Sequence, residues 1–195
     1  TNTHVIPYMV FNQSNLDLEW FYGPEPAQSK YSHDLLRAQT IGLQTGNLPL
    51  VLADTGRKSK LGKTVGERTK FGTMFVHEIK FRYRHASKPL METVLDFGYG
   101  KADCRVLNYW DENYPLTASD KEAKSIILRR GNEAMIVIAT WNGNPETVAF
   151  SIDGEQLGLQ PAKLTNTESG DAVALKDGSF TLRLPAYGVR IVRLQ

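Results

Sequence analysis

The chain has 195 residues, fewer than the about 250 of a complete eight-unit α/β barrel and enough for one or two cores. Apolar residues make up 41% and charges of both signs are interspersed, which excludes a disordered chain. A net charge of +2 argues against a nucleic-acid binder, and no stretch reaches the roughly 20 apolar residues of a membrane-spanning helix.

His4 to Phe11, HVIPYMVF, reads as a strand, although Pro7 would be awkward in a fully paired interior one. The loop that follows, Asn12 to Lys30, is long, aromatic and acidic, with Asp17, Glu19, Trp20, Phe21 and Tyr22. Ser32 is placed to cap a helix with apolar positions Leu35, Ala38 and Ile41, stopped at Gly46. Leu48 to Ala53 is an almost unbroken apolar run, the pattern of a parallel strand covered on both faces, and it stops at Asp54. A basic segment opens there with Arg57, Lys58, Lys60 and Lys63. Thr64 and Glu67 then have capping-box spacing, at the start of a helix whose buried stripe is Phe71, Met74, Phe75 and Ile79.

Three features in the middle of the chain are weak as sites. His77-Glu78 lacks the second histidine of a zinc-protease helix, and GYGKAD, Gly98 to Asp103, lacks the third glycine of a dinucleotide fingerprint, so no metal or cofactor is expected. Cys104 is the only cysteine, which rules out an intrachain disulfide; it reads as a small core residue.

Beyond Cys104 the texture is all strand. SIILRR, AMIVIATW, TVAFSI, SFTLRL and VRIVRL are short β-type runs, punctuated by turn residues at Gly131-Asn132, Asn142 to Pro145, Asp153-Gly154 and Asp177-Gly178. Trp110 and Trp141 read as packing residues. The expected architecture is therefore a partial α/β region over residues 1–105, built from two βα units, and an antiparallel β-sandwich over 106–195. Two βα units cannot make a stable sheet alone, so the remaining strands are expected from residues outside this chain or from a second copy in a homodimer.

The order of strand, long loop, helix, LPLVLAD, basic loop, RTKFGTMFVHEI and LNYWDENYPL, followed by MIVIATWNGNPETVAFSIDGEQLGL and LRLPAYGVRIVRL, resembles the C-terminal end of bacterial (β/α)8-barrel glycoside hydrolases. In such enzymes, melibiase-like ones included, the last barrel units run into a small β-sandwich. The resemblance implies a carbohydrate substrate and places the ends of the barrel strands on the catalytic face. Glycosidases generally use two carboxyl groups, so Asp54, Asp17 and Glu19 become the catalytic candidates. Trp20 and Tyr22 suit stacking on a sugar face, and the basic segment with Arg57 and Lys58 suits a phosphate or an acidic sugar.

Each of these residues also has a plain structural reading. Asp54 can begin an Asx-type turn before Gly56, the aromatic loop can be a packed surface lid, and the basic segment can be a solvated loop. The competing functional class is a non-catalytic carbohydrate-binding or interaction module, whose mark would be a flat aromatic strip on the sandwich without nearby acids.

Overall fold

The computed structural model describes residues 32–34, 37, 50–51, 63–81 and 87–195. The chain divides into two compact units, Thr1–Lys88 and Pro89–Gln195. Residues 89–105, grouped with the α/β half in the sequence reading, fall in the second unit.

In the first unit, strand β1 (Leu50–Val51) is followed by helix α1 (Lys63–Phe75) and strand β2 (Lys80–Phe81). β1 and β2 are parallel, with Leu50 opposite Lys80 and Val51 opposite Phe81, so a helix links two parallel neighbours as a βαβ unit requires. The helix starts one residue before the expected cap, and Thr64 lies in its first turn. Phe71, Met74 and Phe75 are buried as their spacing implies. Ile79 is also buried but follows the helix: the chain turns at Glu78, whose φ of 52° is left-handed, and then enters β2. The expected strand at 4–11, the loop at 12–30 and the segment 52–62 lie outside the described residues, as does all but His33, Asp34 and Arg37 of the helix following Ser32.

The second unit opens with helix α2 (Lys88–Phe97), which the sequence reading did not anticipate. Its signal is Leu90, Val94 and Phe97, one helical face at i, i+4 and i+7, all buried. Gly98 and Gly100, both at positive φ, close it, and the Tyr99 amide returns to the Val94 carbonyl. Gly98 of GYGKAD is thus a helix-ending residue, and Gly100 belongs to the turn after it.

Nine strands then form two antiparallel sheets. The larger has the order β3 (Arg105–Asn108), β5 (Ala123–Arg130), β6 (Glu133–Thr140), β11 (Val189–Leu194), β8 (Leu164–Asn166) and β9 (Ala172–Val173). The smaller has the order β10 (Ser179–Leu184), β7 (Glu146–Ile152) and β4 (Leu116–Ala118). Ile127, Ile136, Ile138, Val192 and Leu194 of the first share one buried cluster with Val148, Phe150, Phe180, Leu182 and Leu184 of the second. This is a β-sandwich. Phe150 and Phe180 are register partners with stacked rings 5.1 Å apart.

The two sheets differ in pattern. β7 and β10 alternate buried and exposed positions, as a sheet with one wet face must. β6 is buried at every position after Glu133, and Ile126, Ile127 and Leu128 are consecutive and fully buried on β5. The central strands of the large sheet are therefore covered on both faces, which is why AMIVIATW reads as an unbroken apolar run. At the turns, Asp177 and Gly178 have φ of 48° and 74°, the left-handed pair of a type I′ hairpin. Asp153 does not make a hairpin turn. Its side chain accepts from the Gln156 amide and caps α3 (Gly154–Leu157), a single helical turn inside the otherwise all-strand half.

Ile138 is wholly buried in the shared cluster. Ile138→Ala is expected to cost about 2–5 kcal/mol in denaturant unfolding of the chain; a loss under about 0.5 kcal/mol, the range of surface substitutions, would remove Ile138 from the core.

Candidate functional site

The residues singled out for chemistry, Asp17, Glu19, Trp20, Tyr22, Asp54, Arg57 and Lys58, lie outside the described residues. The nearest described residues are Ser32, ten positions after Tyr22, and, for Asp54, Arg57 and Lys58, Val51 at the end of β1 and Lys63, the first residue of α1.

Within the first unit the described chemistry centres on two histidines. His77 is fully buried, its Nδ1 lies 2.7 Å from the Thr73 carbonyl and its Nε2 lies 3.3 Å from His33 Nδ1. A carbonyl only accepts, so His77 Nδ1 carries a proton; in the neutral pair His77 Nε2 is then the acceptor and His33 Nδ1 the donor. The rings stack at 5.4 Å. The pair ties the residues at 33 to the turn after α1. Among the described residues no group of three or more His, Cys, Asp or Glu side chains is arranged to hold a metal ion.

In the second unit a cleft of ≈ 540 Å³ lies where the end of α2 meets β6, β8 and β11. Its charged groups are engaged with one another. Arg193 donates to Glu133 through both Nε and Nη2, and Gln195 Nε2 donates to the other Glu133 oxygen at 2.8 Å. Arg130 donates to Asp103 at 2.8 Å and to the Phe97 carbonyl at 3.0 Å. The Gln195 amide and then Arg193 hold the Glu133 carboxyl below its usual range, and Arg130 does the same for Asp103. These partly exposed pairs fasten strand ends and the helix terminus.

The two motifs most characteristic of the sequence, ATWNGNPE and LPAYGVRIV, meet at another place, the end of the sandwich where β6 leaves and β11 enters. Asp120 Oδ1 accepts from the Glu122 amide at 2.7 Å and Oδ2 from Asn142 Nδ2 at 2.7 Å. The Asn142 amide donates to Thr140 Oγ1, whose hydroxyl donates to Glu146 Oε1 at 2.8 Å. Across the gap the Tyr187 amide donates to the Asn142 carbonyl at 2.8 Å, and the Thr140 amide donates to the Gly188 carbonyl. Tyr187 has φ 47°, and its hydroxyl is so close to Gly143 that a Cβ there would lie 2.8 Å from it. The Glu122 amide, then Glu146 and Asn142, lower the Asp120 pKa against the opposing effect of burial. This is a latch of three loops. Sequence reading identified its motifs but not their role, because nothing in the spacing joins Asp120 to Asn142 or Tyr187.

The outer face of the small sheet carries Thr117, Ala149, Ser151, Ser179 and Thr181 around a shallow depression. Phe150 and Phe180 also border it, but both are buried in the core, so no aromatic ring is presented there. Leu95 is the one large apolar side chain substantially exposed among the described residues.

Residues 87–172, from the start of α2 to the first residue of β9, match the family model of the C-terminal domain of glycoside hydrolase 123. No curated protein matches the chain at a significant level. Among solved structures, a candidate α-N-acetylgalactosaminidase from Bacillus halodurans C-125 is similar at 11% identity over 96% of this chain and 46% of its own, with a TM-score of 0.58. A maltogenic α-amylase from Thermotoga neapolitana aligns at 10% identity over 85% of this chain and 46% of its own, with a TM-score of 0.46. The chain thus spans less than half the length of either structure. It resembles the C-terminal part of glycoside hydrolases, in which a β domain trails the barrel.

Because the folded pKa of Asp120 lies below its ordinary 3.8, the latch contributes fully above that value and is lost as pH falls through the folded one. The thermal midpoint should therefore fall as the pH drops below the ordinary carboxylate range, and Asp120→Asn should make that fall shallower. An unchanged acid limb in the variant would show that the Asp120 charge does not support the fold.

Proposed function

We propose that the chain is the C-terminal portion of a glycoside hydrolase and is not catalytically complete alone. The observation that carries this reading is the match of residues 87–172 to a glycoside hydrolase C-terminal domain. The parallel β1–β2 pair around α1 is consistent with the last units of a (β/α)8 barrel preceding the sandwich. The pair is too small to be a sheet by itself, and further strands complete it, from elsewhere in the same protein or from a second copy. The binding-module alternative loses support from the outer sheet face, which offers hydroxyls and methyl groups where stacking on a sugar would need aromatic rings.

In this reading Asp54 follows a barrel strand at the catalytic face, and Asp17 and Glu19 follow the preceding one. One carboxyl protonates the leaving oxygen, and another acts as nucleophile or base. Trp20 and Tyr22 stack on the sugar ring, and Arg57 and Lys58 hold its polar groups. The substrate is a carbohydrate. Aryl N-acetylgalactosaminides are the first to test, from the sugar in the name of the Bacillus halodurans protein.

In the intact protein, Asp54→Asn should reduce turnover by at least about 10²–10⁴-fold, the contribution of one general acid or base, without lowering the thermal midpoint. Wild-type kinetics in that variant, on a glycoside the intact protein demonstrably cleaves, would return Asp54 to a turn-forming role. The 195-residue chain assayed alone should show no turnover.

A further inference from the structure

We propose that Asn142–Gly143 is a site of spontaneous deamidation whose rate is held down by the hydrogen bond from the Asn142 side chain to Asp120. It is the only Asn-Gly step in the sequence. Glycine in the second position matters because it has no side chain to hinder attack by its own nitrogen. The packing of Tyr187 favours that glycine. A Cβ at 143 would lie 2.8 Å from the Tyr187 hydroxyl oxygen and 3.2 Å from Cζ, so a side chain there would have to displace the tyrosine ring. The packing that closes the sandwich end therefore favours the reactive dipeptide. Asn142 is half-buried and Gly143 exposed, so water reaches the site.

The chemistry needs only water. The Gly143 backbone nitrogen attacks Asn142 Cγ and a C–N bond forms. The C–Nδ2 bond breaks, and the amide proton lost from Gly143 passes through solvent to the departing nitrogen, which leaves as ammonia. Water then opens the cyclic imide at either carbonyl, giving aspartate or isoaspartate at position 142.

Attack requires the Asn142 side chain to swing toward the next nitrogen while its backbone turns. Three contacts oppose this: Nδ2 donates to Asp120 Oδ2 at 2.7 Å, the amide donates to Thr140 Oγ1 at 3.1 Å, and the carbonyl accepts from the Tyr187 amide at 2.8 Å. Only the first acts on the reacting group, and it is the charge-assisted one. Once reaction occurs, a carboxylate replaces the donor that faced Asp120, so attraction becomes repulsion and the latch loosens. Asp120 thus protects the dipeptide, and its loss would expose the latch to slow chemical ageing.

The test is peptide mass spectrometry of the chain after incubation at mildly alkaline pH, following conversion at residues 142–143. The folded wild type should convert much more slowly than the same chain in denaturant. Asp120→Ala should convert on the order of tenfold faster than wild type, the scale of losing one hydrogen bond to a charged acceptor. Asp120→Asn keeps an acceptor oxygen and should stay close to wild type. Equal rates for folded and denatured wild type would overturn the proposal. So would a wild-type rate in Asp120→Ala whose thermal transition shows it folded. Should Asp120→Ala fail to fold, Asp120→Asn decides: conversion as fast as the denatured chain overturns the proposal, and slow conversion supports it.

Discussion

Burial of the large sheet's central strands on both faces is the constraint on which the second unit depends. β6 pairs with β5 along its full length on one side and with β11 on the other, and it is buried at every position after Glu133. Each fully buried Ile or Val contributes about 1.5–3 kcal/mol relative to exposure, so the Ile136, Val137 and Ile138 run concentrates apolar burial in one segment. The inner face meets the small sheet through the cluster that includes Phe150 and Phe180. The flanking strands β3, β8 and β9 are short and are positioned by pairing onto this centre.

Polar contacts fix the ends of the same strands. Glu133, at the start of β6, accepts from Arg193 and Gln195 at the end of β11, while Thr140, at the other end of β6, donates to Glu146 and to the Gly188 carbonyl. The apolar run supplies burial but little directional information. The latches at its two ends add the register and loop positions that burial alone leaves open. At 143 the Tyr187 hydroxyl occupies the space a side chain would take, so the latch packs most closely with glycine there.

The long strands of the sandwich were legible in the sequence because their apolar runs and turn residues are local signals. The sequences of β7 and β10 alternate because one face of their sheet is wet, while that of β6 is an unbroken apolar run because two-sided burial is decided by what packs outside the strand. α2 was missed although Leu90, Val94 and Phe97 mark one helical face, and α3 was taken for a turn because Asp153-Gly154 serves equally as a turn and as a helix cap. The Asp120, Asn142 and Tyr187 latch joins residues far apart in sequence, which no spacing rule connects. The candidate catalytic group was legible only as residue types placed after strand-like runs. Its placement rests on the resemblance to glycoside hydrolases and on the parallel pairing of β1 with β2.

The most direct measurement of the central claim is native-state hydrogen exchange of the intact chain. The amides of Ile136, Val137 and Ile138 should exchange only through global unfolding, at the slowest rates in the second unit, with Ile191 and Val192 beside them. Exchange at those five amides as fast as in the exposed Glu168–Asp171 turn would contradict a sandwich organised around a doubly buried β6.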